Sequence, residues 1–262
     1  MNAFGAAVAA EFLKARRSRI PWGIAAGFSL APLVGGLFMF ILKDPERARQ
    51  LGLLGAKAQL TAGTADWPTY LGLLAQAVAV GGAVLFAFLT AWVYGREFSD
   101  RTIRGLLAVP TPRPSIVAAK ALVVGVWGLL TAIWVLALGF AIGAFVDIPG
   151  WSSQLAVDAA VRIGAAVILT LGLQSVTAFV AGIGHGYIAP LGWTILMVFA
   201  AQVLAALGWG AVFPWAVPAI LAGAGGPDAE PVGLTGVVVV VVVAAAGFLA
   251  TVWWWNHADQ TG

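Results

Sequence analysis

The feature that most restricts this chain is a series of apolar runs, each long enough to cross a bilayer as a helix. A spanning helix needs about 20 apolar residues to traverse a hydrocarbon core of roughly 30 Å. Six segments reach that length, at residues 20–42, 69–94, 121–146, 160–183, 187–208 and 233–255. Inside lipid every backbone N–H and C=O must be paired within the protein, so only helices and closed barrels span. Barrel strands are about ten residues long and alternate in polarity, which these runs do not. Even the valine run Val237–Val243, a strand signal in water, therefore reads as helix. The expected fold is an all-α integral membrane protein with six transmembrane helices in a single transmembrane domain, 1–262. Only 10% of the residues are charged and 61% are hydrophobic, whereas soluble domains carry about 25% charged residues.

Three segments are not simple spans. Residues 1–19 read as an amphipathic interfacial helix, with Phe4, Val8 and Phe12 on one face and Glu11, Lys14 and Ser18 on another. This stretch and the long run after it do not resemble a cleavable signal peptide, so the first span is expected to remain as an anchor. The connection 43–68 has room for a short helix beginning at Asp44-Pro45-Glu46. Residues 209–231 are apolar but interrupted by Phe213-Pro214-Trp215 and Pro218, and read as an outer re-entrant or interfacial segment. Gly184-His185-Gly186 alone separates the fourth span from the fifth, as in a tight hairpin.

Charge fixes the expected orientation, because basic residues near span ends stay on the cytoplasmic side. With the N-terminus inside, that side holds Lys14, Arg16, Arg17, Arg19, Arg96, Arg101, Arg104, Arg113 and Lys120. The outer side holds fewer, namely Lys43, Arg47, Arg49, Lys57 and Arg162, together with acids such as Asp66, Asp147 and Asp228. Both termini are thus expected in the cytoplasm, with Trp253, Trp254 and Trp255 in the inner aromatic belt. The net charge of +3 lies in short clusters between apolar runs, as membrane flanks do, and no nucleic-acid partner is expected. Asp158 and Arg162, one turn apart at the entrance of the fourth span, are expected to pair.

The loop between the second and third spans, 96–114, is the densest in information. It contains Arg96, Glu97, Phe98, Ser99, Asp100, Arg101, Thr102, Ile103, Arg104, Leu106 and Leu107, and then Pro110, Pro112 and Pro114. Phe98, Ile103, Leu106 and Leu107 stand at near-helical spacing, Ser99 or Asp100 can cap a short helix, and the prolines stop it. Such a helix suits docking into a groove on a soluble partner. A solvated positive-inside loop explains the same composition.

The order Arg-Glu-Phe-x-Asp-x-Thr-Ile-Arg-x-Leu-Leu, followed by a proline-rich turn and Lys120, resembles the cytoplasmic loop of bacterial ABC exporter permeases of the type-2 family. The opening Glu11-Phe12-Leu13-Lys14-Ala15-Arg16-Arg17-Ser18-Arg19 is similar to that family's first segment. Six spans with a proline-broken segment before the last extend the likeness over nearly the whole chain. The resemblance implies a permease in the bacterial cytoplasmic (inner) membrane, paired with a second copy or a paralogue and with two cytoplasmic ABC ATPase subunits. It places a coupling helix on Glu97–Leu107 and lays an N-terminal helix, with Glu11, Lys14 and Arg17, along the inner membrane lipid. Charge reversal at Glu97 or Arg101 would then uncouple transport without unfolding the chain.

The chain has no Gly-x-x-x-x-Gly-Lys-Ser/Thr, so ATP and magnesium are expected in the partner ATPase. It has no cysteine and two histidines, His185 and His257, each at a span boundary. No Gly-x-Ser-x-Gly or His-Glu-x-x-His occurs, so neither a catalytic residue nor a metal site is expected. No charge sits near the middle of a span, which argues against ion cargo. Gln76, Thr90, Thr170, Gln174 and Gln202 are polar positions within spans. They read as helix packing or as a pathway for a hydrophobic or amphipathic cargo such as a drug, antibiotic or lipid. The alternative to an ABC permease is an ATP-independent membrane protein, either a secondary transporter or an immunity or assembly factor. Gly23–Gly27 and Gly139–Gly143 match a close-packing pattern, a weak signal among 33 glycines.

Overall fold

The computed structural model describes residues 2–53, 64–224 and 230–258. Lys57 and Asp228, assigned above to the outer side, lie outside the described residues. Six helices are long and apolar enough to cross a membrane. They are α2 (Ile20–Lys43), α4 (Trp67–Ser99), α6 (Arg113–Phe145), α7 (Ser153–Ile183), α8 (Ile188–Ala206) and α10 (Leu234–His257). Three shorter helices accompany them at α1 (Ala3–Arg17), α3 (Pro45–Gln50) and α5 (Ile103–Leu107), and α9 (Val217–Leu221) precedes the last long helix. Every described element is helical.

Local chemistry sets the helix starts. Asp44 accepts from Arg47 N at 3.0 Å to cap α3, Asp66 accepts from Thr69 N at 2.8 Å to cap α4, and Ser152 accepts from Leu155 N at 3.1 Å to cap α7. Each oxygen satisfies an N–H that the helix leaves unpaired. Pro21, Pro45, Pro68 and Pro114 stand in first turns, where no N–H is missed.

The long helices alternate in direction and define two ends. One end gathers the close of α4, the start of α6, the α7–α8 turn and the close of α10. There the Phe98 ring lies 5.1 Å from His185 and 6.0 Å from Trp255, and Arg113 donates to the Trp255 carbonyl at 2.8 Å. We call this the loop end; α1 joins it. At the opposite end Lys43 closes α2 onto the finish of α6, 3.0 Å from the Asp147 carboxylate.

α4 and α7 form the buried centre. Tyr70, Leu74, Val78 and Phe86 of α4 and Ile163, Ala166 and Val167 of α7 are shielded almost completely. The outward faces of α6 and α8 instead present Leu130, Ile133, Trp134, Ile195 and Phe199, as spanning helices do toward lipid. α9 is wedged inward: Val217 is fully buried against Leu173 and Val240, and Gln76 Nε2 donates to the Gly223 carbonyl at 3.2 Å.

Four local expectations are corrected. α4 runs on through Ser99, so Asp100 ends that helix instead of starting the next, and α5 begins after Thr102 with no side-chain cap. Asp158 accepts from the Gln154 amide at 2.9 Å, four residues back, and no Asp158–Arg162 bridge forms. Trp255 is buried and Trp254 partly buried, so of the three consecutive tryptophans only Trp253 is exposed. The buried residues of α1 are Glu11 and Ala15, while Phe4 is 41% exposed, because α1 turns its charged side toward Glu97 of α4 and Lys120 of α6.

Candidate functional site

α1 turns charge inward because the facing helices supply the opposite charge. Glu11 and Lys14 lie three residues apart on one face of α1, Glu97 stands near the end of α4, and Lys120 lies on the second turn of α6. Lys14 Nζ is 2.5 Å from Glu11 Oε1 and 3.0 Å from Glu97 Oε1. Lys120 Nζ is 3.2 Å from Glu11 Oε2 and 2.9 Å from Glu97 Oε1. Each lysine therefore bridges both carboxylates, which closes a neutral four-membered ring across three helices. Lys120 is 0% exposed, Glu97 2% and Glu11 5%. A lone buried charge of this kind is strongly unfavourable, and alternation of sign with further hydrogen bonds makes the cluster tolerable. Lys120 adds one such bond, to the Val93 carbonyl at 2.7 Å.

Lys14 is the most accessible member. Burial opposes its positive charge, but the hydrogen bond and charge of Glu11, aided by Glu97, outweigh that and raise its pKa above the ordinary 10.5. A raised folded-state value means that Lys14's contribution is fully present below about 10.5 and is lost as pH climbs through the raised value. Thermal unfolding in lipid nanodiscs should therefore keep this contribution through neutral pH and lose it above about 10.5. A Lys14→Met variant should lack that alkaline step.

The loop itself hangs directly from the ring. Glu97 and Phe98 carbonyls accept from Thr102 N at 2.9 Å and Arg101 N at 3.2 Å, and Arg101 takes the left-handed conformation with φ 56°. This pair of bonds is a Schellman close, and it turns the chain sharply into α5. Ile103 is buried, and Leu106, Leu107 and Phe98 pack on the core. The apolar side that sequence spacing offered to a partner is thus occupied by the chain's own helices. What remains outward is Asp100, Arg101, Thr102, Arg104, Gly105, Ala108 and Val109. Arg96 lies over the Trp92 ring at 5.0 Å. Ser99 is exposed, and so is Arg17 on α1.

The structure separates the sequence-derived loop residues into two sets. Glu97 belongs with Glu11 and Lys14 in the buried ring, whereas Arg101 and its neighbours form the exposed tip. On sequence Lys120 is an inner-side basic residue and the end of the loop motif, not a buried group, because the apolar window starts one residue after it. Proline at the first turn of α6 lets that helix begin at Arg113 and carries Lys120 into the packed region.

The polar positions within the long helices are also divided. Thr90 and Gln174 line a cavity of about 240 Å³ between α4, α6, α7 and α10, and Thr170 and Gln174 line a smaller one of about 20 Å³. Gln76 is tied to Gly223, and Gln202 is exposed on α8. Among the described residues no cluster of three or more His, Cys, Asp or Glu could hold a metal.

Comparison with known proteins adds two findings. Residues 7–201 match a family model described as ABC-2 family transporter protein. The chain is also 26% identical over 143 residues to a bacitracin transport permease protein from Bacillus licheniformis, covering 54% of this chain and 68% of that protein.

Proposed function

The chain belongs to the ABC-2 family of transporter proteins, and from that membership we propose that it is the permease subunit of an exporter driven by a separate ATPase. Two ATPase subunits, which bind ATP and magnesium, act on a pair of permeases formed with a second copy or a paralogue. The cargo is a hydrophobic or amphipathic compound of the drug, antibiotic or lipid kind. The name of the Bacillus relative, a bacitracin transport permease, supports the antibiotic class. Spans with no charge near their middle favour apolar cargo over ions.

The loop end is the cytoplasmic face in this reading, with both termini on it in the bacterial inner membrane and α1 lying at the lipid interface. The single observation that carries the coupling assignment is the construction of 97–107. Its apolar side is anchored in the core, and its base is bonded to a buried charged ring joining α1, α4 and α6. A push on the exposed tip therefore reaches three helices at once, without passing through a flexible tether.

Charge reversal at the tip tests this. Arg101→Glu touches no ring member and should leave the unfolding temperature unchanged. In the assembled transporter, loss of one charged contact of about 1.4 kcal/mol would lower coupled transport roughly tenfold. Transport at the wild-type rate, measured in proteoliposomes with the ATPase subunits present, would remove 97–107 from the coupling path.

A further inference from the structure

We propose that the cavity between α4, α6, α7 and α10 is a binding site within a single subunit for an apolar molecule that carries one hydrogen-bond donor. The site lies wholly among this chain's own helices and does not depend on the transport reading.

Size comes first. The cavity holds about 240 Å³, and an apolar cavity of about 150 Å³ already accepts benzene. A bicyclic ring system or a molecule of similar bulk fits. Its wall is mostly hydrocarbon, with Val124, Leu171 and Phe248 among the lining residues, so an apolar occupant gains dispersion contacts along a pocket that the chain's own side chains leave unfilled.

Polarity sets the second requirement. The lining hydroxyls already donate to backbone: Thr90 to Phe86 O at 2.8 Å, Ser175 to Ala244 O at 2.7 Å, Thr251 to Gly247 O at 2.8 Å and Tyr94 to Val117 O at 2.9 Å. What those oxygens still offer is lone pairs. Gln174 makes the demand sharper. It is 5% exposed, its Nε2 donates to the Thr170 carbonyl at 3.3 Å, and its Oε1 is buried with no partner. The bond to a carbonyl fixes which end of the amide is nitrogen. An unpaired buried acceptor costs about 1–3 kcal/mol, and a small rotation of the Gln174 side chain toward an occupant with an O–H or N–H removes that cost.

Gly125 supplies the means of closing the site. It lines the cavity, and a Cβ added there would meet nothing within 4 Å. A larger side chain can therefore grow into the space without a clash, and on a helix it replaces the poorest helix former other than proline.

The test uses 2-naphthol, which has one donor, and 2-methylnaphthalene, which has nearly the same shape and none. Both are measured by equilibrium dialysis against the purified chain in lipid nanodiscs, with empty nanodiscs giving the lipid background. Wild type should retain one 2-naphthol per chain above background and hold 2-methylnaphthalene roughly tenfold more weakly. Gly125→Leu should abolish retention of both with no fall in unfolding temperature. Gln174→Leu should bind the two equally. The proposal fails if wild type shows no retention above background, or if Gly125→Leu binds as wild type does. Equal affinity of wild type for the two probes would also overturn it, and would show that water in the adjacent 20 Å³ cavity already satisfies Gln174.

Discussion

Replacing Lys120 by methionine is expected to lower the unfolding free energy by about 3–5 kcal/mol, the usual cost of breaking a buried ion pair from one side. Methionine fills much the same space, so the loss isolates the charge. Without Lys120, Glu11 and Glu97 face one another with only Lys14 between them, and Lys14 is the one partly exposed member. Glu97 Oε2 already has no partner, so the carboxylate has no spare contact to fall back on. The Val93 carbonyl loses its 2.7 Å donor as well.

A double variant, Glu97→Gln with Lys120→Met, should recover part of the loss, because the orphaned charge is gone; set against both single variants, it measures the coupling. By the same logic, Glu97→Lys would place three cations together and unfold the loop end. That departs from the sequence expectation that reversal at Glu97 leaves folding intact, and it separates Glu97 from Arg101. Reversible unfolding of the chain in nanodiscs gives the number. A loss below about 1 kcal/mol, the range of exposed pairs, would mean that water reaches the ring.

The ring also shows what sequence could and could not supply. Span number and the alternation of ends follow from the lengths of apolar runs, since lipid leaves the backbone no other option. The family followed from the order of residues at 96–107. Burial of charge did not, because Glu11, Glu97 and Lys120 are distant in sequence and each, alone, reads as a solvated flank. The i, i+3 spacing of Glu11 and Lys14 was the available hint. On sequence alone that spacing reads as the polar face of a surface helix, since nothing local says that two other helices end in complementary charge. The same limit applied to Phe98, Ile103, Leu106 and Leu107: spacing reveals an apolar side but not whether a partner or the chain's own core covers it.

Tyr94 joins the two features that lay beyond the sequence. Its ring lies 6.0 Å from Lys120 Nζ, a cation–π distance, and it also lines the 240 Å³ cavity. A shift of the ring therefore moves a wall of the cavity directly. If force enters at 97–107, the ring and Tyr94 form a packed route into the bundle, and Lys120→Met should alter probe retention even where the fold survives.

Gly143→Ala and Gly23→Ala should have effects of opposite sign, although both glycines belong to the same sequence pattern. On α6, a Cβ at Gly143 would lie 2.3 Å from the Trp67 ring, and one at Gly139 would lie 2.6 Å from Leu74. α4 and α6 thus approach as closely as they do because those positions lack side chains. Trp67 cannot move aside easily. It is packed edge-on to Trp151 at 4.7 Å and to Tyr70 at 5.9 Å, and its backbone N–H donates to Pro149 O at 3.0 Å. Overpacking of this kind costs about 1–3 kcal/mol, which exceeds the gain of up to about 1 kcal/mol from replacing glycine in a helix. At Gly23 a Cβ meets nothing within 4 Å, so only the helix gain remains and the variant should be slightly more stable. Measured side by side in nanodiscs, a loss at Gly143 and a gain at Gly23 would show that close packing, and not the spacing of glycines, is what joins α4 to α6. Equal effects would place α6 too far from α4 for a Cβ at Gly143 to meet the Trp67 ring.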